Sequence, residues 1–193
     1  MAEINAALVG LLGVMAGGYF NNFLAEDYRR FRDGQALAGA LAGELESHAE
    51  PIKAIKTGLE MMVLQLADGK RLTLPEWPIP SSPLFDENAS KIGLLEPQLA
   101  RDVAYVYENL RAFRQNFHMA TKHHHEMPSA WTSATFVGCM AAITRAEARG
   151  LPLIDRLKAL AEESYWKRPQ TRIKLKYGAV AFIVFLLVVK LLS

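Results

Sequence analysis

Residues Ile4 to Leu24 run for 21 positions without a charged side chain. As a helix, such a run spans about 30 Å, the thickness of a bilayer's hydrocarbon core. A cleaved signal peptide would carry a basic segment ahead of it, whereas the only charged side chain there is Glu3. A second apolar run, Tyr177 to Val189, has thirteen residues, and Lys190-Leu191-Leu192 extends it to sixteen. That is about 24 Å of helix, with Lys190 placed to snorkel to the far interface. These two runs account for the high hydrophobic content of 51%. They predict an all-α protein: a helical bundle with a transmembrane helix over 4–24, a domain over 25–172 and a short transmembrane tail anchor over 173–192.

Charge sets the expected orientation. Arg29, Arg30 and Arg32 follow the first run, and Lys167, Arg168, Arg172, Lys174 and Lys176 precede the second. The positive-inside rule then places the domain in the cytoplasm of a bacterium, with both ends across the inner membrane. Tyr165 and Trp166, beside Lys167 and Arg168, have the composition of an interfacial aromatic belt. The net charge of +2 is too small to suggest a nucleic-acid partner. The single cysteine, Cys139, excludes an internal disulfide and reads as a small buried apolar residue.

Within the first run, Ala6, Gly10, Gly13 and Gly17 are spaced by four, three and four, and Asn21 continues the same helix face. Lipid supplies no hydrophobic drive for helices to associate, so small residues that allow close backbone approach mark an interface. The stripe therefore predicts a homo-oligomer joined through Ala6, Gly10, Gly13, Gly17 and Asn21.

The domain reads as helices throughout. Glu26 to Ser47 lacks proline and offers a small face at Ala36, Gly39, Ala40 and Gly43. Pro51 fits the first turn of a second helix that Asp68-Gly69 stops. Pro75, Pro78, Pro80 and Pro83 make 70–84 a loop. Its Leu72, Leu74, Trp77 and Ile79 suit either a lid over the core or an arm for a cytosolic partner. Pro97 opens the strongest helix, where Leu99, Val103, Val106, Leu110, Phe113 and Phe117 form an apolar seam, as a central core helix or a helix–helix interface. Ser129 starts the next helix, Gly150 ends it, and Leu153, Leu157 and Leu160 belong to a last short one.

Chemistry-bearing patterns are few. His123 and Glu126 are the one local pair spaced to share a metal, but three consecutive histidines diverge by about 100° each, and the stretch reads as a solvated helix end. Arg111 and His118, seven apart, share a helix face. Their Arg-x6-His spacing resembles the motif of the helical HEPN ribonucleases, although Ala112 stands where a polar residue commonly follows the arginine. No phosphate-binding loop, nucleophile triad or dinucleotide fingerprint is present, so no cofactor is expected.

The uncharged glycine-rich N-terminal run, ALAGALAGELESH (36–48), LFDENASKIGLLEP (84–97) and DVAYVYENL (102–110) together resemble a diffuse group of uncharacterised bacterial and prophage-borne membrane-anchored helical proteins. The layout is also similar to the small membrane accessory proteins of RNA-targeting CRISPR systems, from which the C-terminal run departs. These resemblances imply a non-enzymatic membrane protein that self-assembles and alters or gates the membrane, in the setting of phage defence. An anchored adaptor for a cytosolic partner and a HEPN-like ribonuclease are the alternatives.

Overall fold

The computed structural model describes residues 24–192 together with Ala7, Gly10, Leu11, Gly13, Val14, Gly17 and Gly18, the side chains of Phe185, Val189, Leu191 and Leu192 excepted. Among them every regular element is helical. In order these are α1 (Ala25–Ala49), α2 (Ile52–Ala67), α3 (Pro83–Asn88), a 3-10 turn (Ala89–Leu94), α4 (Pro97–His123), α5 (Ser129–Glu162), a second 3-10 turn (Tyr165–Lys167) and α6 (Pro169–Leu192). The chain divides into two compact units, Leu37–Ala161 and Met1–Ala36 with Glu162–Ser193.

The larger unit is organised by two seams. On α4, Leu99, Val103, Val106 and Leu110 are buried in the main core, and Phe113 and Phe117 are half-buried at its continuation. On α5, the buried residues Phe136, Cys139, Ile143, Ala146, Gly150, Leu153 and Leu157 repeat by alternating steps of three and four. Gly150 is therefore not the helix end that the sequence suggests. A Cβ there would stand 3.6 Å from Val106 Cγ1, an ordinary van der Waals contact, so α5 packs on α4 at this point. Pro152 also lies inside α5. A proline in a helix interior costs about 3 kcal/mol. Burying Leu153 and Leu157 completely contributes about 1.5–3 kcal/mol each, enough to carry the helix through.

The α1 face buried in this unit is Leu37, Ala38, Leu41, Ala42 and Leu45. Ala36, Gly39 and Gly43, expected to pack, are exposed instead. The leucines lie about a third of a turn away, and they have more apolar area to remove from water. α2 ends as the sequence predicts: Gly69 takes φ 73°, the one positive φ among the described residues, and Lys70 N–H closes onto Gln65 O at 3.0 Å. The Pro-rich segment then divides in two. Leu72 is buried and Leu74 partly buried against Leu59, Ala120, Phe136 and Cys139, whereas Trp77 and Ile79 are about half exposed.

In the smaller unit the start of α1 is tied to the residues around the second 3-10 turn. Tyr165 is buried against Tyr28 and Phe31, and its hydroxyl donates to Asp27 Oδ2 at 2.8 Å. Lys174 Nζ reaches the same carboxylate at 2.7 Å. Tyr165 is thus core, and only Trp166 of the expected belt pair is exposed.

Among the described residues no helix is long and apolar enough to cross a membrane. Neither expected span, 4–24 or 173–192, is supplied by the structure. Most of the first, Ala6 and Asn21 included, lies outside the described residues. In the second, Lys174, Lys176 and Lys190 bracket the apolar stretch, and the four excepted side chains fall within 173–192.

Candidate functional site

The polar residues of the larger unit converge where the Pro-rich segment meets α1 and α4. Glu44 is buried on α1, between the leucines that face the core. A lone buried carboxylate is costly, and here three donors satisfy it. Tyr107 hydroxyl donates to it at 2.7 Å, and the N–H groups of Leu84 and Phe85 donate at 2.9 and 3.1 Å. Those two N–H groups belong to the first turn of α3 and have no acceptor within their own helix. Glu44 therefore caps α3 from a distant part of the chain. Tyr107 also stacks on Phe85 with ring centroids 3.9 Å apart. Burial, together with its bond to Glu44, pushes the Tyr107 hydroxyl far above its ordinary pKa.

One turn beyond Glu44, His48 faces Arg114 and Ser82. Arg114 donates to Ser82 Oγ at 2.7 Å and to His48 Nε2 at 3.1 Å. The same guanidinium nitrogen also lies 3.4 Å from His48 Nδ1. Ser82 Oγ lies 3.3 Å from the same Nε2. Burial lowers the pKa of His48, the adjacent Arg114 charge lowers it further, and Glu44 opposes both. Burial likewise lowers that of Arg114. A cavity of about 270 Å³ opens over this cluster, lined in part by Ser82, Asp86, Tyr107, Arg111 and Arg114.

Two further histidines hold the same segment. Leu74 N–H donates to His124 Nε2 at 3.4 Å, and His118 Nδ1 donates to Trp77 O at 2.6 Å. Glu44, His48, Arg114, His118 and His124 thus fasten residues 74–85 along the bundle, and the hydroxyl of Ser82 is already engaged on both sides. The arrangement positions a segment.

Arg111 and His118 are not brought together. Arg111 pairs with Glu108 at 2.6 Å and Asp86 at 3.7 Å, whereas His118 serves Trp77 two turns along the helix. His123 Nδ1 lies 3.2 Å from Glu126 Oε2 on an exposed surface, and no group of three metal-ligating side chains occurs among the described residues. A Cβ built at Gly10, Gly13 or Gly17 has nothing within 4 Å among the described residues. The sequence reading places Arg114 on one flank of α4 with Arg111 and His118, but passes over Glu44, His48, Ser82 and Tyr107. Their signal was present: Glu44 and His48 are four apart within an apolar helix, and Tyr107 and Arg114 are seven apart on α4.

No protein-family profile matches the chain, and no curated protein or solved structure matches it either.

The His48 geometry implies a pH dependence. In the unfolded chain the imidazole titrates near 6.5 and in the folded one lower. Above 6.5 both states are neutral and the cluster contributes its full stability. As pH falls below 6.5 the unfolded chain takes up the proton first, and stability declines until the folded pKa is passed. Urea midpoints measured from pH 8 down to 5 should fall in that window, and His48→Gln should flatten the fall. An unchanged slope in His48→Gln would remove His48 from the explanation.

Proposed function

We propose that the chain is a membrane-held, non-enzymatic helical module that self-assembles and alters the membrane holding it. The observation that carries this is α6. Tyr177, Val180, Phe182, Ile183, Val184, Leu186, Leu187 and Val188 are between 42% and 70% exposed on one helix. Eight large apolar side chains about half exposed along one helix are costly in water and suited to lipid. Read in the sequence, the apolar run is unbroken from Tyr177 to Val189, with basic residues on its N-terminal side. Self-assembly draws on the small-residue stripe of the sequence, where a Cβ built at Gly10, Gly13 or Gly17 has nothing within 4 Å among the described residues. The resemblance noted in the sequence gives phage defence as the setting.

A cysteine-accessibility experiment tests the membrane placement. Cys139 is buried, with its thiol pKa pushed up to about 12 by burial, and Cys139→Ala removes it as a background. In intact cells Ser193→Cys should react with an impermeant reagent from outside, whereas Ser81→Cys should react only after lysis. A Ser193→Cys protein labelled only after lysis overturns the placement. In mild detergent the same preparation should run as an oligomer, and Gly13→Ile should reduce its size.

A further inference from the structure

Helices α4 and α5 line a second, open groove of about 410 Å³ that shares no lining residue with the Glu44 cluster. Three arginines of α5 line it, Arg145, Arg149 and Arg156, against one carboxylate among the described lining residues, Asp102. The groove therefore carries an excess of two positive charges.

Each guanidinium is fixed on one side. Arg156 donates to Asp102 Oδ2 at 2.7 Å, and Arg149 lies 3.7 Å from Oδ1 of the same carboxylate. Arg149 also stacks over the Tyr105 ring at 4.4 Å, and Arg145 donates through Nε to Asn109 Oδ1 at 2.8 Å. Arg149 and Arg156 are seven residues apart, yet they reach one carboxylate, so their heads converge. Asp102 is itself buried, and its pKa is held below the usual carboxylate value, first by the Arg156 hydrogen bond.

An arginine has five N–H donors, and each of these contacts uses few of them. The Arg149 and Arg156 side chains remain 45% and 46% exposed. Pre-fixed guanidiniums lose little further freedom when an anion binds, and their planar fork matches two oxygens of a phosphate. We propose that this groove is a binding site for a terminal phosphate dianion, clamped between Arg149 and Arg156 with Arg145 as a third contact. Asp102 acts as a positioning residue that holds the two heads together. Such a phosphate is carried by a soluble phosphomonoester or by a lipid headgroup.

The full chain, in zwitterionic nanodiscs, should be titrated with glycerol 3-phosphate and with dihexanoyl phosphatidic acid below its micelle concentration, followed by calorimetry. These probes share the phosphate and differ in the acyl chains. Binding of both supports the site with a soluble source, and binding of the lipid alone supports it with a lipid source. In either case Arg149→Gln with Arg156→Gln should weaken binding at least about tenfold per arginine, since a charge-assisted hydrogen bond contributes that much. Arg149→Lys, which keeps the charge and the packing but loses the fork, should weaken it by less, and Arg111→Gln should leave it unchanged. No binding of either probe up to about 10 mM, the range of very weak affinity, overturns the proposal. Equal binding by the wild type and a folded double-glutamine variant overturns it as well.

Discussion

Glu44→Ala should destabilise the Leu37–Ala161 unit by about 3–5 kcal/mol, the usual loss when one partner of a buried charged network is removed. The change leaves the Tyr107 hydroxyl and the N–H groups of Leu84 and Phe85 without their acceptor, and it takes a counter-charge from beside Arg114. A domain of this size is stable by about 5–15 kcal/mol in all, so the variant should be close to the limit of folding. Tyr107→Phe removes one of the three bonds and leaves the carboxylate capped by α3, so it should cost about 1.5–3 kcal/mol, the range for hydrogen bonds to a charged group. Urea unfolding of the detergent-solubilised chain, followed by circular dichroism, measures both. A Glu44→Ala midpoint within experimental error of the wild type would mean that the contacts around Glu44 contribute nothing net.

Changing Ile183 and Leu187 together to lysine should abolish labelling of Ser193→Cys from outside the cell. The two positions are four apart on α6 and now carry exposed apolar side chains. A lysine near the centre of a spanning helix costs about 2.5–3.5 kcal/mol on insertion scales, so the pair costs about 5–7 kcal/mol. The run from Tyr177 to Val189 is short for a span and has little reserve against that cost. Ile183→Leu with Leu187→Ile keeps the segment apolar and should label as the parent does. Equal outside labelling of the lysine variant and the parent would show that insertion does not depend on this face.

The sequence by itself determined most of the helical framework, because its signals are local. Proline at the first turn of α4, glycine after α2 and the period of Leu99, Val103, Val106 and Leu110 each act within a few residues. The basic flanks and apolar runs at either end are legible in the same way. What only the tertiary structure decided was whether a helix-breaking residue breaks its helix. Gly150 and Pro152 stop a helix by propensity, yet α5 runs through them because Leu153 and Leu157 are buried beyond them. The same holds for the polar clusters. Glu44 reads as an ordinary helix-surface glutamate until Tyr107 and the start of α3, 63 and about 40 residues away, arrive to surround it. Asp102 likewise becomes a guanidinium anchor only when Arg156, 54 residues on, folds back beside it. Such pairings depend on which faces meet in space. Helical periodicity fixes the face a residue occupies, and packing alone selects its neighbour.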